Sequence, residues 1–159
     1  MFSTLIALCL FTGSADAAWN WDLDYAVSLG VDQDGVTAGY SSSVAHSPFE
    51  QGPQLALKTH SALNSPERTH RFGLGLRQEL NPTLALSAHA LFVSRDSSDR
   101  LGLEGTLSWR LWRNGDAPYT EPTMGLGLYA YGGATPAAES VSGDRWWWTG
   151  TGLMLSFGR

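Results

Sequence analysis

Residues 19–29 read WNWDLDYAVSL, a stretch in which large apolar residues alternate with small or polar ones. Every odd position from Trp19 to Leu29 is large and apolar, whereas the even positions hold Asn, Asp, Ala and Ser. Side chains at positions i and i+2 share one face of a β-strand, so this alternation predicts a strand with one apolar and one polar face. An α-helix would mix the two sets on every side.

The same alternation recurs in seven later segments, separated by turn residues such as those at 34–35 and 81–82. The segments span residues 36–44, 55–63, 72–79, 84–92, 101–111, 124–129 and 147–157. Short turns between strands predict successive hairpins, and closure of an even number of strands removes the exposed sheet edges. We therefore expect an all-β fold, an eight-stranded antiparallel up-and-down β-barrel.

The composition of the two faces predicts which one points outward. In all eight segments the apolar face lacks Asp, Glu, Lys and Arg, and the other face is rich in Gly, Ala, Ser and Thr. A charge facing lipid costs about 2–4 kcal/mol near the bilayer midplane, and a narrow lumen needs small side chains. The apolar face is thus expected to contact lipid, which makes the predicted fold an eight-stranded antiparallel up-and-down transmembrane β-barrel. A soluble periplasmic barrel, with that face turned inward around an apolar ligand, is kept as an alternative.

Aromatic residues fall near the ends of the predicted strands. One expected rim comprises Trp19, Trp21, Trp109, Trp112 and Phe157, and the other comprises Tyr131 and Trp146, Trp147 and Trp148. Rings with a polar tip favour the headgroup layer of a membrane, so this placement predicts the two aromatic girdles of a membrane barrel.

Composition excludes several classes of protein. The chain has 159 residues, 16% of them charged, and a formal net charge of −5. An aromatic content of 11% is too high for a disordered chain. The excess of acidic over basic residues argues against nucleic acid as a partner, and the length fits a single domain.

Residues 1–17, MFSTLIALCLFTGSADA, are typical of a secretory signal peptide. An apolar run from Leu5 to Phe11 precedes Ala15-Asp16-Ala17, which matches an A-x-A cleavage site. Cleavage there would leave residues 18–159 as a single β-barrel domain. The one cysteine, Cys9, lies within the leader, so we expect no disulfide in the mature chain.

From Trp19 to Phe157 the sequence resembles the small eight-stranded outer-membrane barrels of Gram-negative bacteria, such as the opacity-protein type and the membrane domain of outer membrane protein A. The resemblance rests on the alternation, the aromatic girdles and the final strand with Leu153, Leu155 and Phe157. It implies a place in the cell outer membrane, contact with outer-membrane lipids and lipopolysaccharide, and recognition by the outer-membrane assembly machinery. An unknown protein partner is left open.

Charged residues and histidines gather on the polar face, which the barrel would turn inward. They are Asp22, Asp24, Lys58, Arg77, Glu79, His89, Glu104 and Arg110, together with His60. An eight-stranded barrel has room only for its own side chains, so we expect these groups to form an ion-paired plug. The resulting function is structural, or that of a narrow, mostly closed channel. A gated pore or a proton path through His89 and Glu104 is the alternative.

The sequence carries no pattern for a metal or cofactor. The histidines do not show the H-E-x-x-H or H-x-x-E-H spacing of metalloproteases, and the glycines at 73/75, 125/127 and 150/152 repeat with the strand period instead of forming a phosphate loop. We expect neither a metal site nor a cofactor.

One pair of residues suggests an enzyme as a second hypothesis. In a symmetric hairpin around residues 64–67, Ser61 would lie opposite His70 on the lipid face near the outer rim. The arrangement resembles the lipid A 3-O-deacylases, which carry a Ser/His pair on that surface and would imply a lipid A-modifying hydrolase. Glu67 is the nearest acid that could orient the histidine. Of the two hypotheses, we prefer a barrel that is not an enzyme.

Four arginines are expected in the loops at the outer rim. They are Arg68, Arg95, Arg100 and Arg145. Guanidinium groups bind phosphate oxygens well, so these residues are candidates for contact with lipopolysaccharide phosphates. An alternative with equal support is that these arginines are ordinary loop residues exposed to water.

Overall fold

The computed structural model of the protein describes residues 21–46, 52–63, 69–95, 98–114, 123–136 and 146–158. The eight strands are β1 (Trp21–Asp32), β2 (Gly35–His46), β3 (Gln54–Ala62), β4 (Thr69–Asn81), β5 (Leu84–Arg95), β6 (Ser98–Arg113), β7 (Thr123–Ala134) and β8 (Trp147–Gly158). Within these ranges no helix is long and apolar enough to cross a bilayer. The expected signal peptide, residues 1–17, lies outside them.

Each strand pairs with its sequence neighbours in antiparallel fashion, and β1 pairs with β8, which closes the barrel. At the seam Val27 lies opposite Leu153, so the alternation of both strands stays in phase across the closure. The all-β, eight-stranded antiparallel barrel is thereby confirmed. We call the end at which β1 begins and β8 ends the proximal end, and the opposite end, with the β1–β2 turn, the distal end.

Short polar side chains form the tight turns that the sequence predicted. Oδ1 of Asp32 accepts a 2.9 Å hydrogen bond from the backbone N–H of Asp34 in the β1–β2 turn. Oδ1 of Asn81 accepts bonds of 2.9 and 2.8 Å from the N–H groups of Thr83 and Leu84 in the β4–β5 turn. Both turns copy backbone turn geometry with an Asx side chain, and they fix the hairpin registers.

The orientation of the two faces is as predicted. In β1 the even residues from Asp22 to Ser28 are buried, whereas Tyr25, Val27 and Leu29 are exposed on the outer wall. The same pattern continues around the barrel and leaves large apolar side chains outside on every strand. This finding contradicts the alternative of a soluble barrel with an apolar ligand, because the side chains that would line such a cavity face outward.

Polar groups on the outer wall find partners within it. The hydroxyls of Thr149 and Thr151 donate to the backbone carbonyls of Tyr131 and Tyr129, at 3.0 and 2.9 Å. The hydroxyls of Ser42 and Thr59 lie 2.9 Å apart on neighbouring strands. A hydroxyl in hydrocarbon has no water to bond, so these contacts suit an apolar environment around the barrel.

The girdle prediction is correct for some aromatic residues and wrong for two. Trp109, Trp112 and Phe157 are exposed toward the proximal end, and Trp147 is exposed at the distal end. Tyr131 and Trp148, however, are buried in the lumen. The strand period explains Trp148, because it follows the outward Trp147. Its ring fits inside because Gly133 has no side chain: a Cβ there would lie 2.5 Å from the indole.

Candidate functional site

Glu104 lies at the centre of a buried cluster in the distal half of the lumen. Its carboxylate accepts contacts from three strands: Lys58 Nζ at 2.7 Å, Arg71 Nη1 at 3.3 Å and Trp148 Nε1 at 2.6 Å. Glu104 is only 3% exposed, and the two cations are nearly as buried. The carboxylate therefore ties β3, β4 and β8 to β6 across the barrel interior.

Aromatic rings cover the cations of this cluster. Lys58 Nζ lies 5.5 Å from the ring centroid of Tyr131, and the guanidinium of Arg71 lies 4.8 Å from that of Trp148. Cations over aromatic faces gain electrostatic stabilisation, most of all where water is excluded. We call the five residues Lys58, Arg71, Glu104, Tyr131 and Trp148 the distal plug.

A second ion pair lies in the proximal half of the lumen. Arg77 Nη1 donates to Oδ2 of Asp24 at 2.8 Å, and the Ser43 hydroxyl donates to the same oxygen at 3.3 Å. Asp22, one row closer to the proximal end, accepts a 3.1 Å bond from the amide of Gln54. We call Asp24 and Arg77 the proximal pair.

The remaining residues of the predicted lumen network lie apart from these two clusters. Glu79 is exposed near the proximal end, and Arg110 donates to the backbone carbonyl of Pro82 at 3.3 Å. Neither side chain forms an ion pair with a described residue. Both lie near the proximal end of the barrel, where water can solvate them. The predicted network is therefore divided into two separate clusters, with Glu79 and Arg110 at the mouth.

A small cavity separates the distal plug from the proximal pair. It has about 40 Å³ of room for water, which corresponds to about three molecules, and we call it the central chamber. Its lining includes Asp24, Lys58, Arg77, His89 and Tyr129, with several hydroxyl groups. His60 lies nearby with its ring centroid 5.4 Å from that of Tyr131. A lumen this full is a packed interior with a small cavity lined by polar groups.

Sequence reasoning missed Arg71 and the aromatic part of the plug. Arg71 has the same parity as the inward Gly73, Gly75 and Arg77, so extending the alternation by one residue would have found it. Trp148 also occupies an inward position in the alternation of β8, but the girdle prediction grouped it with the outward Trp147.

The enzyme candidates occupy the outer wall near the distal end. Ser61 of β3 lies opposite His70 of β4, and the serine Oγ lies 2.9 Å from the histidine Nδ1. The histidine is exposed. Glu67, the acid expected to orient it, lies outside the described residues.

Two of the four rim arginines can be located. Arg95 forms an ion pair with Asp34, and its guanidinium lies 5.6 Å from the ring centroid of Trp146. Arg100 packs closer to the same ring, at 4.1 Å. Arg68 and Arg145 fall outside the described residues. Trp146 thus gathers two guanidinium groups at the distal rim.

In the described ranges no three His, Cys, Asp or Glu side chains are grouped so as to hold a metal ion.

Comparison with known proteins identifies the fold. No family model matches the chain, and no curated protein matches it. Among solved structures it is similar to the N-terminal β-barrel domain of Pseudomonas aeruginosa OprF, with a TM-score of 0.52 and 14% identity over 87% of this chain and 98% of that chain. It is also similar to Neisserial surface protein A, with a TM-score of 0.52 and 12% identity over 90% of this chain and 98% of that one. The chain therefore has the fold of the small eight-stranded outer-membrane β-barrels.

Proposed function

We propose that this protein is an integral outer-membrane barrel with a closed lumen, which serves the envelope structurally or as a narrow, mostly closed channel. One observation carries the proposal. Apart from Asp99 at the distal end of β6, no outward-facing residue of the described strands is Asp, Glu, Lys or Arg. Water would tolerate charges on such a surface, whereas lipid penalises them.

The closed state is supported by the way the lumen charges are arranged. Lys58, Arg71 and Glu104 neutralise one another in part, and so do Arg77 and Asp24. A buried charge that loses its partner is strongly destabilising, so these contacts favour one tightly packed lumen. A chamber that holds about three waters leaves little room for a solute between them.

The proposed orientation has the proximal end in the periplasm and the distal end outside the cell. Export would depend on residues 1–17 and insertion on the outer-membrane assembly machinery. In this orientation Arg95 and Arg100 reach the level of the outer-leaflet headgroups. Packing on Trp146 pre-orders both side chains, which lowers the entropic cost of binding a lipopolysaccharide phosphate.

Cell fractionation tests the proposed location. We expect the protein in the outer-membrane fraction, resistant to salt and urea washes, with a folded form that migrates differently from the boiled form on gels. A matched variant, Val27→Arg, carries a charge on the outer wall and should accumulate unfolded. Recovery of the native protein from the soluble periplasm without detergent would overturn the proposal.

A lipid A-modifying hydrolase is the second candidate, favoured by the 2.9 Å contact between Ser61 and His70 on the outer wall. In this role Ser61 Oγ attacks the carbonyl carbon of an acyl ester while His70 accepts the hydroxyl proton. The alkoxide leaves with that proton, and water then releases the fatty acid from the serine.

Mass spectrometry of lipid A tests this candidate. Strains carrying the native gene, Ser61→Ala or the control Ser42→Ala would be compared with a deletion strain. The candidate requires loss of one acyl chain with the native protein and with Ser42→Ala, but not with Ser61→Ala. Identical lipid A in all four strains would exclude it.

A further inference from the structure

A second, smaller cavity lies between the central chamber and the proximal end of the barrel. That cavity lies beside the β4–β5 turn, around Asn81 and Pro82, at the proximal mouth. Both cavities share Arg77, Ser108 and Met154 in their walls. The chamber is therefore separated from the proximal mouth only by side chains that line both spaces.

The groups around the chamber are suited to water. His89 is 4% exposed, and no described residue forms a hydrogen bond with either of its ring nitrogens. Oδ1 of Asp24 and Nε of Arg77 are likewise buried without a partner among the described residues. A neutral imidazole offers one donor and one acceptor, so the set amounts to two donors and two acceptors. Water satisfies both kinds, whereas a bare ion would satisfy only one.

The opposite side of the chamber is closed by apolar packing. Leu91 and Val93 are 2% and 1% exposed, and they form one buried cluster with Tyr129, Tyr131 and Trp148. Trp146 packs against this cluster from the distal rim. The apolar cluster lies distal to Glu104 or beside it and its two cations. Apolar contacts and ion pairs therefore close the same, distal half of the lumen.

We infer that the central chamber is a blind, water-filled pocket that opens toward the proximal end, and that the distal plug, together with the apolar cluster that shares Tyr131 and Trp148 with it, bars passage through the barrel. The inference deepens the proposed function by locating its barrier. Water passes beside Asp24 and Arg77, so the proximal pair stabilises the barrel but does not close it. Disrupting the distal plug therefore suffices to open a continuous path, whereas removing the proximal pair does not.

Cysteine labelling distinguishes the water-filled chamber from the apolar cluster, because residues 18–159 contain no cysteine. Ser87→Cys adds a thiol to the chamber lining, and Val93→Cys adds one to the apolar cluster. In the detergent-folded barrel, methyl methanethiosulfonate should modify Ser87→Cys completely and leave Val93→Cys unmodified until the protein unfolds. Equal labelling of both thiols, or none at Ser87→Cys, would overturn the inference.

The entrance is tested by narrowing the shared wall. Ser108→Trp in the Ser87→Cys background should abolish labelling, with Ser108→Leu as a smaller substitute if the first variant does not fold. Unchanged labelling in a folded Ser108 variant would mean that the entrance lies elsewhere. Since labelling is done in detergent, it can succeed even if the membrane location is wrong, so the two proposals fail separately.

Planar-bilayer recordings test the position of the barrier. Trp148→Ala should conduct steadily, whereas Arg77→Leu combined with Asp24→Leu should stay as silent as the native protein. Steady conduction by the proximal double variant, or silence of an inserted Trp148→Ala barrel, would contradict the assigned barrier.

Discussion

The indole Nε1 of Trp148 donates a 2.6 Å hydrogen bond to Oε2 of Glu104, from β8 to β6 across the lumen. The intervening strand β7 contributes Gly133, whose missing side chain leaves the space that the indole ring fills. One carboxylate thus holds two cations and an aromatic donor in the distal plug.

Trp148→Phe keeps a ring near Arg71 but removes the donor to Glu104. We expect the free energy of unfolding to fall by about 1.5–3 kcal/mol, the usual range for a hydrogen bond to a charged group. Urea unfolding from phospholipid vesicles measures this change. Trp147→Phe is the matched control, because that side chain faces outward. Equal losses for the two variants would show that the donor at 148 contributes nothing.

Arg77→Leu should destabilise the barrel by about 3–5 kcal/mol, since it leaves Asp24 buried without its cation. Adding Asp24→Leu should recover part of the loss, because an apolar pair carries no unpaired charge. Glu79→Leu, at an exposed position without an ion pair to a described residue, should give no such recovery. Rescue by Glu79→Leu instead of Asp24→Leu would contradict the pairing.

Leu153→Arg introduces a charge in the middle of β8 on the outer wall, where the leucine is 55% exposed. In a bilayer this should cost about 2–4 kcal/mol, and the heat-resistant folded band on gels should weaken. Leu153→Met, which is apolar and of similar size, should behave like the native protein. An arginine tolerated as well as methionine would indicate that the wall faces water.

Arg100→Gln should weaken the response of the protein to lipopolysaccharide, because it removes the guanidinium that packs 4.1 Å from the ring of Trp146. Melting temperature in vesicles with and without phosphorylated lipopolysaccharide is the measurement. The native protein should be stabilised by the phosphorylated form more than by a dephosphorylated one, and the variant should lose that difference. The same stabilisation in native and variant proteins would rule out this arginine as a phosphate ligand.

The alternation in residues 19–29 and in the seven later segments was enough to predict the fold, because a period of two leaves every side chain only two directions. The same rule predicted the inward set, and it would have included Arg71 had the β4 pattern been extended by one residue. Ser61 and His70 are neighbours because hairpin register follows from the turn between their strands.

Partner choice across the lumen could not be predicted in the same way. Arg77 of β4 pairs with Asp24 of β1, a strand that is not its neighbour in the sheet, and the relative height of these two strands depends on the tilt of the closed barrel. Trp148 shows a related limit. The strand period turns its side chain inward, but the alternation does not reveal that the indole donates to the buried carboxylate of Glu104.

Single-channel recording of the native protein tests whether the barrel spans the bilayer with a closed lumen. Trp148→Ala, measured in parallel, serves as the control for insertion. We predict a silent bilayer, or brief small openings, for the native protein and steady currents for the variant. Steady currents of a wide pore from the native protein would contradict the account.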